Sequence, residues 1–396
     1  MKIKLSSSFI GLALLASVHQ SNAQLPVITS FSQNGVLLCS NLQAGSVASV
    51  QWASSLAGPW FTNWTSLAAV TADSNGTITV SVPMFYRVLG SANPLANMNL
   101  IPAGSFMIGD TLDGGLPTDG TMPTYSTNVY VSAFYMDVNL VTYSQWQSVY
   151  YWATNNGYGF DSPGSGKGAD YPVSQYSWYD AVKWCNARSQ QAGLTPVYYT
   201  DAGFTQVYTN GEVGITNEEV NWSANGFRLP TEAEWEKAAR GGLSGQRFPW
   251  GATVSESQAN YIGDTTGVHF FGTGQNYDLG PNGYNAAFTN GATPYTSPVG
   301  SFAPNGYGLY DMAGNVIQWC WEYYAPAPYP VGSPYLGGTD PRGPDGTLGG
   351  TLTQIVVRGG QWAQYAYTLR CAERDRCSPN NPANDGQLGF RCVRAH

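Results

Sequence analysis

The sequence predicts an α+β, loop-rich fold preceded by a small all-β module. Three observations lead there. Three stretches carry a helix-start signal followed by helical spacing, and short β-type runs surround them. The composition combines 47 Gly and 24 Pro with 14% aromatic but only 11% charged residues. A surface so poor in charge must be built from Gly, Ser, Thr, Asn and Tyr, which suits an exported protein with long ordered loops.

At the start, Lys2 and Lys4 precede an apolar run over 9–18, and Ser21-Asn22-Ala23 offers small residues for cleavage. This pattern predicts a signal peptide over 1–23 and a mature chain that is secreted or periplasmic. The run is too short to cross a bilayer, and no later stretch approaches the roughly 18 to 20 apolar residues of a span. Removing the two lysines leaves 15 basic against 25 acidic side chains, a net charge of −10. Nucleic acid and anionic membranes are therefore poor partners.

Residues 24–93 form the small module. Val36-Leu37-Leu38, Ser49-Val50-Gln51-Trp52, Thr77-Ile78-Thr79-Val80 and Phe85-Tyr86-Arg87-Val88 read as short strands of a β-sandwich-like unit. It carries no chemical constellation, so attachment, spacing or weak binding is its expected role. Ser91-Ala92-Asn93-Pro94 marks the boundary, and 94–396 is the second domain.

Thr142 with Gln145, Ser177 with Asp180 and Thr231 with Glu234 have capping-box spacing, which predicts helices over about 143–153, 178–192 and 232–240. Gly193 and Gly241 stand where a left-handed stop is expected. In the second helix Ala181, Val182, Trp184, Cys185 and Arg188 fall near one stripe, turning Cys185 toward the core. The rest is short β segments, such as Phe106-Met107-Ile108-Gly109 and Val129-Tyr130-Val131, between long loops. Ordered loops of this length need support from cations, disulfides or stacked aromatics.

Histidine is scarce: only His19, His269 and His396 occur. A multi-histidine metal site and a Ser-His-Asp triad are thereby excluded. No glycine-rich phosphate loop is present. The six cysteines, Cys39, Cys185, Cys320, Cys371, Cys377 and Cys392, include no CxxC pair, so disulfides or buried thiols are favoured over zinc.

Several long motifs follow one another in order. They are Ile101-Pro102-Ala103-Gly104-Ser105-Phe106-Met107-Ile108-Gly109, Gly226-Phe227-Arg228-Leu229-Pro230-Thr231-Glu232-Ala233-Glu234-Trp235-Glu236, Phe248-Pro249-Trp250-Gly251, and Asn305-Gly306-Tyr307-Gly308-Leu309-Tyr310-Asp311-Met312-Ala313-Gly314-Asn315-Val316. Arg358-Gly359-Gly360 and Leu388-Gly389-Phe390-Arg391 close the set. From about Met98 onward the chain resembles the formylglycine-generating enzyme, or sulfatase-modifying factor, family. The resemblance implies a C-type-lectin-like fold held by calcium and disulfides. It also implies an oxidase that uses copper and oxygen to convert the cysteine of a Cys-x-Pro-x-Arg sulfatase segment to formylglycine.

The copper of that family is gripped by two thiolates shortly after Arg-Gly-Gly, and soft sulfur suits Cu(I). Here Gln364 stands at the first of those positions, and neither an amide nor a phenol replaces a thiolate. The expectation is therefore a pseudoenzyme without copper, acting as a calcium-stabilised binding or structural module for a protein, peptide or glycan. The alternative is an active formylglycine-generating oxidase, with a sulfatase as partner, that uses Cys371 and Cys377 through a register shift. The resemblance further implies a disulfide between Cys185 and Cys392. Its second bridge would pair Cys371 with position 239, which is Ala, leaving Cys320 as the substitute partner of Cys371 and no partner for Cys39 or Cys377. For calcium, Asp311, the carbonyls of Gly314 and Val316, and Gln318 fall on the second calcium loop, where the family has Asn first and Glu last. Asn260 and the Tyr261 carbonyl fit the start of the first loop, with Asp278 a downstream candidate.

Six arginines, Arg358, Arg370, Arg374, Arg376, Arg391 and Arg394, crowd the last 39 positions. They suit either buried carboxylate pairing or a groove for acidic or sulfated ligands. The aromatics Trp319, Trp321, Tyr323, Tyr324 and Trp362 are expected in the core.

Overall fold

The computed structural model describes residues 27–31, 36–40, 44–45, 47–48, 70–75 and 77–81, and all from 95 onward except 96, 113–125, 268–276, 327–328, 345–352 and 383–384. The expected signal peptide over 1–23, the strands expected at 49–52 and 85–88, the boundary at 91–94 and His269 lie outside the described residues. The chain divides into two compact units, Met1–Ala92 and Asn93–His396.

In the first unit β1 (Val27–Phe31), β2 (Val36–Ser40) and β5 (Ile78–Ser81) form an antiparallel sheet in the order β1-β2-β5. Two shorter strands, β3 (Val47–Ala48) and β4 (Val70–Thr71), pair with each other. Cys39 lies on β2.

The second unit opens with four strands, β6 (Met98–Ile101), β7 (Gly104–Ile108), β8 (Thr127–Val131) and β9 (Phe134–Asp137). Three helices follow: α1 (Tyr143–Thr154), α2 (Trp178–Gln191) and α3 (Glu232–Ala239). After the small pair β10 (Ile262–Gly263) and β11 (Gly283–Tyr284) come β12 (Ile317–Tyr323), β13 (Gly338–Thr339), β14 (Ile355–Arg358), β15 (Asp375–Cys377), β16 (Leu388–Gly389) and β17 (Val393–Ala395). The central sheet runs β15-β14-β12-β16, beside two three-stranded sheets, β13-β8-β7 and β17-β9-β6.

Ser177 and Thr231 form complete capping boxes with Asp180 and Glu234. Thr142 caps the Gln145 N–H at 3.1 Å without a return bond, and the chain entering α1 is bridged to Pro172. Gly193 and Gly241 adopt φ of +70° and +57° after their helices, a conformation that a β-carbon disfavours.

The central sheet divides the core. Trp319 and Trp321 of β12 and Ile355 and Val357 of β14 pack with α1 and α2, including Cys185. Cys320 and Val356, the alternating residues, pack on the other side with Ala233, Trp235 and Ala238 of α3 and with β7, β8 and β9. This alternation is the strand's two-residue period expressed in a sheet buried on both faces.

Buried charge joins the sheet to α3. Glu322 on β12 is fully buried, and both its carboxylate oxygens accept the Glu232 N–H at 2.7 Å. Burial, reinforced by the nearby Glu232 charge, pushes the Glu322 carboxyl well above its ordinary value. A carboxyl raised in the folded state contributes stability that is complete below the ordinary carboxylate range and is lost as pH rises through the folded value. Glu322→Gln is therefore expected to raise stability at pH 8, a gain that shrinks as pH falls into the ordinary carboxylate range. Urea denaturation at pH 8 and in that range checks this, and a gain that grows in acid would contradict it.

Candidate functional site

Residues of β12, β14, β15 and β16 line a cleft of about 360 Å³. Ile317, Val357 and Leu388 make it apolar at the sheet. Gln361, Gln364, Gln387 and Asn381 supply amides, Asp375, Asp385 and Arg376 supply charge, and Cys377 supplies a thiol. The segment after Gly360 is held at both ends: Gly314 N–H donates to the Gly359 carbonyl at 2.8 Å, and Ile262 N–H donates to that of Gln364 at 2.8 Å. Gln361 Nε2 donates to Gln387 Oε1 at 3.0 Å. The Gln364 side chain has no such bond, and its Oε1 is buried without a hydrogen-bond partner among the described residues. A buried amide oxygen left open is an acceptor for an incoming donor.

Cys377 Sγ accepts from Asn381 Nδ2 at 3.1 Å, and burial pushes the thiol above its ordinary value. Cys371 is fully buried, which pushes its thiol up to about 12. The two do not share a site. Cys371 packs with Cys320 and Val356, whereas Cys377 packs against the cluster that contains Ile355 and Val357. Since successive residues of β14 point to opposite faces, the sheet stands between the two sulfurs.

None of the five cysteines described with side chains is in a disulfide. Cys185 and Cys392, both fully buried, bring their sulfurs to 3.6 Å. Arg188 clamps Asp137 there with bonds of 2.6 and 2.9 Å, and Asp137 in turn accepts the Cys392 N–H at 3.0 Å. Cys320 and Cys371 lie in one core cluster.

On the loop expected to hold the first calcium, Asn260 Nδ2 donates to the Tyr295 carbonyl at 2.8 Å, and the Asn260 carbonyl accepts the Asn315 N–H at 2.8 Å. Asp278 is occupied within the protein, accepting from Tyr261 Oη at 2.6 Å, Asp264 N at 2.6 Å and Gly280 N at 2.9 Å. At the second loop Asp311 is buried, and that burial raises its carboxyl. Gln318 does not fit calcium. Its Oε1 accepts from Trp235 Nε1 at 3.0 Å and Arg391 Nε at 2.8 Å, while its Nε2 donates to the Asp311 carbonyl at 2.9 Å.

The C-terminal arginines serve mainly as buried partners. Arg358 binds Glu236, Arg374 binds Glu232 at 2.6 Å, and Arg370 binds Asp110 at 3.0 Å. Arg376 is exposed, its guanidinium over the Tyr324 ring at 4.9 Å. Trp319, Trp321, Tyr324 and Trp362 are buried, and Tyr323 packs partly buried against the core. Sequence reasoning missed the cleft residues Gln361, Asn381, Asp385 and Gln387. Their one available signal was proximity to the Arg358-Gly359-Gly360 and Leu388-Gly389-Phe390-Arg391 motifs.

The sulfatase-modifying factor enzyme 1-like domain matches residues 88–396. The chain belongs to that family. Among its relatives, the formylglycine-generating enzyme of Thermomonospora curvata is 32% identical over 314 residues, covering 75% of this chain and 92% of the relative. Chaperone protein LppX of Paenibacillus barcinonensis is 29% identical over 302 residues, covering 74% of this chain and 92% of the relative. The solved structure of Treponema denticola variable protein 1 is similar with a TM-score of 0.53 and 26% identity, over 76% of this chain and 95% of that one. The family's C-type-lectin-like architecture accounts for the few helices and long loops of the second unit. Among the described residues, no helix is long and apolar enough to cross a membrane.

Proposed function

We propose that this chain is an exported, non-oxidising member of the family that binds an extended peptide in the cleft, with calcium held at the first loop through Asn260. The reading rests on one observation: an amide, Gln364, lines the cleft where a copper thiolate is required, and Cys371 and Cys377 lie on opposite faces of the central sheet. Cu(I) selects soft sulfur ligands that converge on one point. Amide oxygens and carboxylates do not substitute for them.

The cleft's chemistry supports a peptide over a glycan. Among the described residues its lining includes amides and both signs of charge but no aromatic ring on which a sugar face could stack. Export is supported by the N-terminal charge and hydropathy pattern. That one relative is named a chaperone protein supports a role without redox chemistry.

Relatives named formylglycine-generating enzyme favour a second reading, an active oxidase whose partner is a sulfatase. Anaerobic Cu(I) titration against a competing chelator, followed by oxygen and a Cys-x-Pro-x-Arg peptide, separates the two. We expect no stoichiometric copper complex and a peptide of unchanged mass. Tight copper binding that is lost in Cys377→Ser, together with aldehyde formation, would establish the oxidase.

A further inference from the structure

We infer that the loop from Tyr310 to Gln318 carries its own positive charge in the Arg391 guanidinium and binds no calcium, because the Gln318 amide has no oxygen left to offer an ion.

Arg391 is fully buried, and its five N–H donors have five acceptors. Nε donates to Gln318 Oε1 at 2.8 Å. Nη1 reaches the carbonyls of Asp137 and Val138 at 3.1 and 3.3 Å, and Nη2 reaches those of Tyr310 and Asp311 at 2.7 and 3.2 Å. The guanidinium thus ties the start of the loop at Tyr310 and Asp311 to its end at Gln318. That is the bracing a coordinated cation supplies through carbonyl and side-chain oxygens.

The orientation of the Gln318 amide follows from its neighbours. Trp235 Nε1 and Arg391 Nε can only donate, and the Asp311 carbonyl can only accept, so the oxygen faces the first two and the nitrogen faces the third. Both lone pairs of that oxygen are used. A carboxylate at this position would keep a second oxygen, and an amide does not.

Charge leads to the same result. Asp311 and Asp137 are the carboxylates that balance Arg391, and Asp137 is shared with Arg188 at 2.6 Å. A calcium ion on Asp311 would place a double positive charge beside a buried guanidinium and draw away the larger of its two countercharges. Unshielded by water, that repulsion opposes binding.

The loop also supports the cleft. Trp362 N–H donates to the Asn315 carbonyl at 3.0 Å, and Gly314 N–H to that of Gly359 at 2.8 Å. The segment leading to Gln364 therefore rests on a loop whose stiffness does not depend on metal.

Calcium stoichiometry by isothermal titration tests this. Wild type and Asp311→Asn are expected to bind the same number of ions per chain, and Gln318→Glu one more. A stoichiometry that falls by one in Asp311→Asn overturns the inference, as does the absence of a gain in Gln318→Glu. Hydrogen exchange of the wild type with and without calcium requires no variant to fold. The amides of residues 311–318 are expected to exchange alike in both conditions, and protection gained there on adding calcium overturns the inference.

Discussion

Arg358→Met is expected to lose about 3–5 kcal/mol of stability, the typical effect of removing one partner from a buried ion pair. Arg358 is fully buried at the end of β14. It binds Glu236 through Nη2, approaches Glu232 at 3.4 Å, and donates to the carbonyls of Cys371 at 2.9 Å, Glu373 at 2.7 Å and Ala372 at 3.2 Å. Its guanidinium also lies over the Trp235 ring, 5.3 Å from the centroid. Burial pushes the Glu236 carboxyl up, but Arg240 and Arg358 outweigh that and hold it below its ordinary value. Without Arg358 the carboxylate keeps Arg240, the Gly109 N–H at 2.8 Å and the Tyr335 hydroxyl at 3.4 Å, and three carbonyls lose the Arg358 donor. Because Glu236 is depressed in the folded state, its contribution is present above the ordinary carboxylate range and is lost as pH falls through the folded value. Adding Glu236→Gln to Arg358→Met should deepen the loss, since the buried Arg240 then loses the carboxylate it pairs with at 2.7 Å. Guanidinium denaturation of the two variants measures both effects, and a loss below 1 kcal/mol for Arg358→Met would mean that the ion lattice is dispensable.

Protein kept under oxidising conditions should show Cys185 joined to Cys392 in non-reducing peptide maps, and Cys392→Ala should cost about 3–5 kcal/mol. The sulfurs are 3.6 Å apart in a fully buried site and the residues are 207 apart in the chain, so a bond needs little movement and closes a long loop. Longer loops restrict the unfolded chain more. Burial holds the Cys185 thiol well above its ordinary value, so exchange in the folded protein should be slow and the bond should form during folding. Refolding yield with and without reductant reports this. Equal stability of oxidised protein and Cys392→Ala would rule out a structural bridge.

Local signals translated directly into structure. A hydroxyl three residues before an acceptor satisfies its own helix start whatever packs nearby, so α2 and α3 were legible from Ser177 and Thr231. The stripe through Cys185 likewise placed that thiol in the core. Pairing of the C-terminal arginines with carboxylates was one of two readings left open, and Arg358, Arg370 and Arg374 realise it. Which carboxylates they meet was not legible, because Arg374 and Glu232 are 142 positions apart.

Spacing in the chain misleads for the thiols. Cys371 and Cys377 are six residues apart, yet β14 and β15 place them on opposite sides of a sheet. Gln318 shows the same limit at atomic scale. Its spacing from Asp311 suits a metal loop, and only the contacts from Trp235 and Arg391 reveal that its oxygen is taken.

The sequence by itself determined family, helix starts, the shortage of histidine and the amide at 364, because each is a property of residues near one another in the chain. The tertiary structure decided on which face of the sheet Cys371 and Cys377 lie, which carboxylates the arginines neutralise, and where an open cleft lies. Those depend on which side of the β12–β14 sheet a side chain emerges and on partners brought together from distant segments.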